Sequence, residues 1–377
     1  MNRRMFIGKA RAKAARRAAQ WLLGADALGM PARSVHSLAE ASTGSPFRQH
    51  ILGLETVFPP QLVNYAFPDE FPASFRRRKA FDESHLYRLR DVVVSPYSGL
   101  AWLPEGRVLQ ESVGSLMRIM GWGNNVWELA LRPAALSTPQ PALVVPQGPY
   151  FHWVTETLPW LILGLRRHDA ISLIHAPGLS RYVTGYMALL EGTHRGAITH
   201  HEATTALRCP DVIMPQVEEW SGFVRPEFIA LLRQFAAALE LPPGDPQPEP
   251  RRIYVSRCLA PVRPLANEAE LEAAVQKRGF HVMQAETLTV KEQMRLFAGA
   301  EEIVAPHGAG LTNMIWSHRL RRVTEIFQTE QINDCYARLA VSLGAAYRYV
   351  MCQRDPEGRS RVGVDEVLKA AGVYASG

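Results

Sequence analysis

From residue 142 onward the chain repeats one arrangement, a short apolar run followed by a longer stretch with helical spacing. The runs "ALVV", "ISLIHA" and "DVIMP" alternate with "HWVTETLPWLILGLRR", "SRYVTGYMALLEG" and "RPEFIALLRQFAAALEL". Short apolar runs set between helical stretches read as strands of a parallel sheet with helices on its faces. The pattern stops at "LPPGDPQPEP", residues 241–250, whose five prolines fit neither a helix interior nor a central strand. It then restarts with "RRIYVSR", "NEAELEAAVQKRG", "HVMQAE", "TVKEQMRLFAGA", "EEIVAPHG", a helix near 310 to 318, "RVTEIF", "DCYARLAVSLG" and "AYRYVMC". An α/β fold of two strand–helix domains is predicted, residues 41–240 and 252–377, with a linker at 241–251 and a basic arm at 1–40. The poorly periodic segment before 142, with its "FPDEFP" and "SPYSG" turns, is expected to complete the first sheet. Asn267 and the acids Glu268 and Glu270 mark one helix start and Gly279 its end.

Composition limits the partners. At 47% hydrophobic residues over 377 positions, there is ample material for a buried core. Arg3, Arg4, Lys9, Arg11, Lys13, Arg16 and Arg17 all precede the first acid, Asp26, so the net charge of +6 belongs to the leader. A nucleic-acid-binding body would interleave clustered Lys and Arg with aromatics, and beyond the leader this chain does not. Nucleic acid is therefore not expected as a partner. The leader opens like a twin-arginine export signal, but basic residues interrupt the place of its apolar region. It is expected to be a frayed arm with loose attraction to anionic lipid as the second reading. The longest apolar stretch near a helix, "LPWLILGL", falls well short of a bilayer span of roughly 20 residues. Cys209, Cys258, Cys335 and Cys352 lie far apart without metal spacing and are expected to be structural, part-buried thiols in a reducing, cytoplasmic setting.

"APHGAGLTNMIW", residues 305–316, places His307, Gly308, Gly310, Thr312 and Asn313 where a strand should become a helix. Glycine lets backbone approach a ligand, and the unpaired N–H groups and dipole at a helix start favour an anion such as phosphate. Glycine near a helix end is also common for structural reasons alone. Ligands in open α/β sheets sit beyond the carboxyl ends of strands, and this motif lies at one.

In order along residues 142 to about 350, "YFHWVTETLPWL", "RRIYVSR", Arg263, "NEAEL", "GFHV", "TLTVKEQMRLFAGAEEIVAPHGAGLTNMIW", "VTEIF" and "YARLAVSLGAAYRY" resemble the signature of family 61 glycosyltransferases. The resemblance implies a GT-B fold, two Rossmann-like domains with parallel sheets facing a central cleft. It implies an inverting transferase with a nucleotide-sugar donor, UDP-linked by family analogy, and a glycan or lipid-linked glycan acceptor, as in capsular or other surface polysaccharide synthesis. The donor is a substrate, so no separate cofactor is expected. Another phosphate-ligand transferase, such as a pyruvyl or phosphoryl transferase, and a non-catalytic assembly subunit are the competing readings.

Sugar transfer leaves negative charge on the departing diphosphate. The acidic pairs in "PDE" and "FDE" read as irregular chain without a supporting strand, so no metal is expected. Arg257, Arg263 and the turn at Gly310 to Asn313 are the expected compensation. Glu325 is expected on ribose hydroxyls, or else as an ordinary strand-end acid. Arg257 could equally cap its strand, His307 could be a core histidine, and Thr312 and Asn313 could simply cap and turn. His152 and Glu156, four apart, share one helix face if the helix has begun. Pro159 leaves that open, since it suits a first turn better than an interior. Glu156 is the expected base and His152 its companion or replacement, with Trp153 as a candidate acceptor platform.

Overall fold

The structure, a computed structural model, describes residues 35–36, 38, 48–113, 132–218, 222–239, 250–260, 262–328 and 332–373. The expected basic arm, apart from residues 35, 36 and 38, and all of the expected linker but its last two residues lie outside these.

One six-stranded sheet contains β1 (Ile51–Phe58), β2 (Ser84–Leu89), β3 (Ala142–Val144), β4 (Ala170–His175), β5 (Ala197–Glu202) and β6 (Val212–Pro215) in the order β5-β4-β3-β6-β2-β1. β5, β4, β3 and β6 run parallel, while β2 pairs antiparallel with both β6 and β1. The irregular segment before 142 thus supplies two strands of this sheet. It also supplies most of a second sheet, in which the strand Leu207–Cys209 pairs antiparallel with Val92–Val94. β5 has no counterpart in the sequence reading: its edge position lets "AITHHE" stay largely exposed, and no apolar run marks it.

The helix after β3, α1, runs from 150 to 167. It consists of an α turn, Tyr150–His152, a π-helical turn, Trp153–Thr157, and a regular α segment, Leu158–Arg167. Pro159 therefore does not mark the start. The wider π turn just before it accommodates the missing N–H and the ring, and the helix passes through. α2 (Arg181–Thr193) and α3 (Pro226–Ala238) complete this half.

The second half has β7 (Arg252–Val255), α4 (Glu268–Gln276), β8 (His281–Met283), α5 (Val290–Ala298), β9 (Glu302–Pro306), β10 (Arg322–Phe327), α6 (Cys335–Ser342), β11 (Ala346–Met351) and α7 (Val364–Ala370). Its five strands are all parallel, in the order β8-β7-β9-β10-β11. α5 shows how local sequence sets an element. Thr289 and Glu292 cap its start reciprocally, and Val290, Met294 and Phe297, one face at helical spacing, are buried. Asn267 precedes α4 but does not cap it; its side chain instead bonds the backbone of Val362. Between β9 and β10 the expected helix is a 3-10 helix, Ala309–Trp316.

The two halves share one apolar cluster. Phe75, Trp153 and Tyr186 from the first and Val290, Trp316 and Tyr347 from the second belong to it. α2 meets α5 closely at Gly185, where a Cβ would lie 2.8 Å from Val290 Cγ2. In "FDE" the acids Asp82 and Glu83 are irregular, as expected, but they are flanked by strands, joining Arg78–Phe81 to β2. Cys209 and Cys335 are buried and Cys352 partly so, but Cys258 is exposed, contrary to the expectation for all four. Among the described residues no helix is long and apolar enough to cross a membrane.

The two glycines of α2 give opposite expectations. Gly192 has open space where a Cβ would go, so Gly192→Ala should stabilise the fold by up to about 1 kcal/mol. Gly185→Leu overfills the contact with Val290 and should cost about 1–3 kcal/mol. Denaturant unfolding of both variants checks the signs.

Candidate active site

In the five-stranded sheet the adjacent parallel strands β7 and β9 send their connections to opposite sides, and beyond their carboxyl ends, where open α/β sheets bind ligands, lie Arg257 and then His307 and Gly308. In the six-stranded sheet the neighbouring parallel strands β3 and β6 lead into α1 and towards α3, which pack together, and His152 and Gly222 follow them.

Arg257 lies directly over Gly308: a Cβ on that glycine would be 1.9 Å from Arg257 Nη1. Glycine is thus required for close approach; its backbone is extended. Gly310 serves the same end one step on, since a Cβ there would lie 2.8 Å from Val255 Cγ1 and push the 3-10 helix off β7. Arg257 donates through Nη2 to the Val262 carbonyl at 3.0 Å, and its backbone N–H donates to Glu268 Oε1 at 2.6 Å. Its Nε is buried without a partner. Burial first, and then the neighbouring Arg263 cation, lower the Arg257 guanidinium from its ordinary value. Arg263 itself is exposed on backbone with φ 55°, an unusual conformation for a side chain of that size. Among the described residues no carboxylate forms an ion pair with either arginine. Two neighbouring cations, one of them partly buried, are an arrangement that an anion would relieve.

His307 is fixed from three directions. Its Nδ1 bonds Glu325 Oε1, its ring stacks on Phe327 with centroids 5.3 Å apart, and Tyr336 meets it edge-on at 5.2 Å. A carboxylate only accepts, so the shared hydrogen is assigned to Nδ1 and Nε2 is the nitrogen left for a ligand. Glu325 is 0% exposed, and its other oxygen accepts from Tyr347 Oη at 2.6 Å. Its expected role on ribose is corrected accordingly: both oxygens are committed, and the acid orients His307 instead. Gln328 Nε2 reaches the carbonyls of Arg263 and His307 at 3.4 and 3.5 Å and spans the two loops.

Thr312 and Asn313 are fully buried. Asn313 accepts from Tyr150 Oη at 2.7 Å and Trp316 Nε1 at 3.2 Å and donates to Gln293 Oε1 at 2.8 Å. Its amide is occupied in the core between the halves, and the expected contact with a pyrophosphate is corrected for the same reason. Thr312 lies beside Tyr336, and its hydroxyl is buried without a hydrogen-bond partner. Trp153 is 1% exposed, stacks on Tyr186 and donates to the Pro146 carbonyl. It is a core residue rather than an acceptor platform.

His152 Nδ1 and Glu156 Oε1 are 2.9 Å apart on α1, and the same oxygen accepts the Gly222 N–H at 2.9 Å. His152 contacts Phe151 edge-on, Phe151 contacts Tyr336 in the same way at 5.3 Å, and Tyr336 contacts His307. Tyr336, which the sequence reading passed over, therefore stands between the two histidine–carboxylate pairs. Burial above all, with Cys335 and Glu325 adding to it, raises its phenol well above the ordinary value, and it stays protonated. Only the helical spacing of "YARLA" pointed at it, and that spacing serves core residues equally well.

The cation pair gives a direct expectation. Arg257→Ala should weaken binding of inorganic pyrophosphate by on the order of 1.5–3 kcal/mol. Gly308→Ala, which drives the guanidinium aside, should act in the same direction while the fold is kept. Calorimetry on both variants decides; parental affinity in each would remove the two arginines from anion binding.

Residues 150–324, a little under half of the chain, match the family model Glycosyltransferase 61. A protein of Oryza sativa subsp. japonica named a beta-1,2-xylosyltransferase is 30% identical over 165 residues, 44% of this chain and 27% of its own length. An EGF domain-specific O-linked N-acetylglucosamine transferase of Drosophila melanogaster is 30% identical over 113 residues, 29% of this chain and 21% of its own. The matched stretch thus spans only about a quarter of either relative. It takes in α1 with its π turn, the Arg257 loop and the Gly308 turn, and over these residues the chain is similar to glycosyltransferase family 61.

Proposed function

We propose that the chain is an inverting glycosyltransferase of GT-B type, transferring a sugar from a nucleoside diphosphate donor to a glycan acceptor. One observation carries the reading. Tyr336 lies against His307, meets Phe151 beside the His152–Glu156 pair on α1, and interacts electrostatically with Arg257 after β7. Arg257 and Arg263 take the donor's phosphates, with His307 Nε2 and the first N–H groups of the 3-10 helix beside them. The acceptor oxygen attacks the anomeric carbon as its proton passes to His152 Nε2. The bond from that carbon to the phosphate oxygen breaks, and the diphosphate leaves with the electron pair onto the cations. Glu156 holds Nδ1–H and stabilises the imidazolium that forms, so the geometry favours histidine over Glu156 as the base.

The family and the names of the two relatives support sugar transfer. A UDP-linked donor, an acceptor in surface polysaccharide synthesis and metal independence belong to the proposal. Metal independence is proposed because this reading assigns the leaving group's charge to Arg257 and Arg263.

A thermal-shift screen of nucleoside diphosphates identifies the donor, because a ligand that binds only the folded state raises its apparent stability. With donor and acceptor in hand, His152→Ala should lower turnover about a hundredfold to ten-thousandfold at unchanged donor affinity. Glu156→Gln should lose less. Near-parental turnover by His152→Ala would exclude it as the base, and no response to any nucleotide would favour a non-catalytic subunit. Transfer should also persist in EDTA. Collapse in chelator with recovery in manganese or magnesium would show that a metal, not the arginine pair, receives the leaving group.

A further inference from the structure

We propose that Arg338 is a positioning residue for the His152–Glu156 pair, acting by fixing the backbone of Gly222. The proposal rests on the reading of that pair as the proton-accepting centre.

Arg338 lies on α6 and is 5% exposed. Its Nη2 donates to the Gly222 carbonyl at 2.7 Å, and the Gly222 N–H donates to Glu156 Oε1 at 2.9 Å, the oxygen that also engages His152 Nδ1. Gly222 is therefore held on both sides, by a carboxylate at the N–H of the peptide before its Cα and by a cation at the carbonyl of the peptide after it. The guanidinium is itself fixed. It pairs with Asp334 one turn back on the same helix and lies 4.0 Å over the Phe223 ring. Asp334 in turn accepts the Arg76 backbone N–H at 2.7 Å. Gly222 has φ 86°, and a Cβ on it would stand 3.5 Å from Arg338 Nη2 and 3.8 Å from Cys335 Cβ. This backbone conformation, which glycine adopts readily, turns the N–H on one side of the Cα and the carbonyl on the other towards partners on different halves of the molecule.

Arg338 touches no reacting atom. Its effect is to set the direction from which Glu156 meets the histidine, and it does so from the half that carries the arginine pair. An arginine that merely packed α6 against the 222–225 loop would change stability when lost but leave the Gly222 amide bonded to Glu156.

The test uses the full chain labelled with [15N]glycine, the Gly222 amide being the resonance missing from Gly222→Ala. In Arg338→Met that amide should move upfield and exchange faster with solvent. Turnover should fall about ten- to a hundredfold, the loss typical when an outer partner of a ligating histidine is removed, with donor KM within about twofold of the parent. Arg338→Lys, which keeps a cationic donor, should recover most of both signals. If Arg338→Met does not fold, Arg338→Gln, which keeps an uncharged N–H donor, carries the same readouts. An unmoved amide, or a moved amide with parental turnover, would overturn the proposal. A moved amide in a protein whose parent transfers sugar from no donor would leave the relay standing and remove the proposed function instead.

Discussion

A carboxylate without access to solvent, Glu325, ties together three separate stretches of the second half. It sits near the end of β10 in register with Ala305 of β9 and Tyr349 of β11. Removing a carboxylate from water is costly unless its oxygens are satisfied. Here His307 from the loop after β9 and Tyr347 from β11 satisfy them. The arrangement allows one ring orientation for His307, and that orientation stacks it on Phe327 and places it against Tyr336. Tyr336 in turn receives Phe151 from the other half. The meeting of the two halves thus follows from the demand of one buried acid.

The same meeting is reinforced by polar groups inside the shared core. Tyr150 hands its hydroxyl hydrogen to Asn313, and Asn313 is braced by Gln293 of α5. A buried amide with one side of its bonding unmet would be a liability in so apolar a setting. With partners from α1, from α5 and from its own 3-10 helix, it fixes how the 3-10 helix sits beneath the Gly308 turn. Binding residues at the loop tips are thereby backed by a core that leaves them little freedom to drift.

Much of the fold was legible because strand–helix repetition writes itself in apolar period. The parallel strands β3, β4 and β6 of the first sheet and all five of the second correspond to runs visible in the sequence, whereas β5, polar and on an edge, does not. The site was legible only where chemistry and backbone coincide. Glycines at a strand end announced Gly308 and Gly310, and Arg257 closed a recognisable strand. Roles that depend on who faces whom could not be read. Glu325 looks like a strand-end acid free to meet a sugar until Tyr347, 22 residues on, takes its second oxygen. Asn313 looks like a turn residue until Tyr150, 163 residues earlier, claims it. Trp153 carries the aromatic face of a sugar platform, yet only burial distinguishes a platform from a core. The link from Arg338 to Gly222 joins residues 116 apart and leaves no trace in either local pattern.

The π turn in α1 gives the site an unusual dependence on chain length. A π turn is equivalent to an α-helix that has accepted one extra residue, and each residue of an α-helix turns the chain by about 100°. Removing one residue between Trp153 and Thr157 would leave a well-formed helix, still capable of packing through its later turns. It would also swing Tyr150 and Phe151 around the axis, away from Asn313 and Tyr336 together. Point substitutions can weaken these contacts one at a time, whereas a single-codon deletion would disengage all of them at once and leave the sheet beneath untouched.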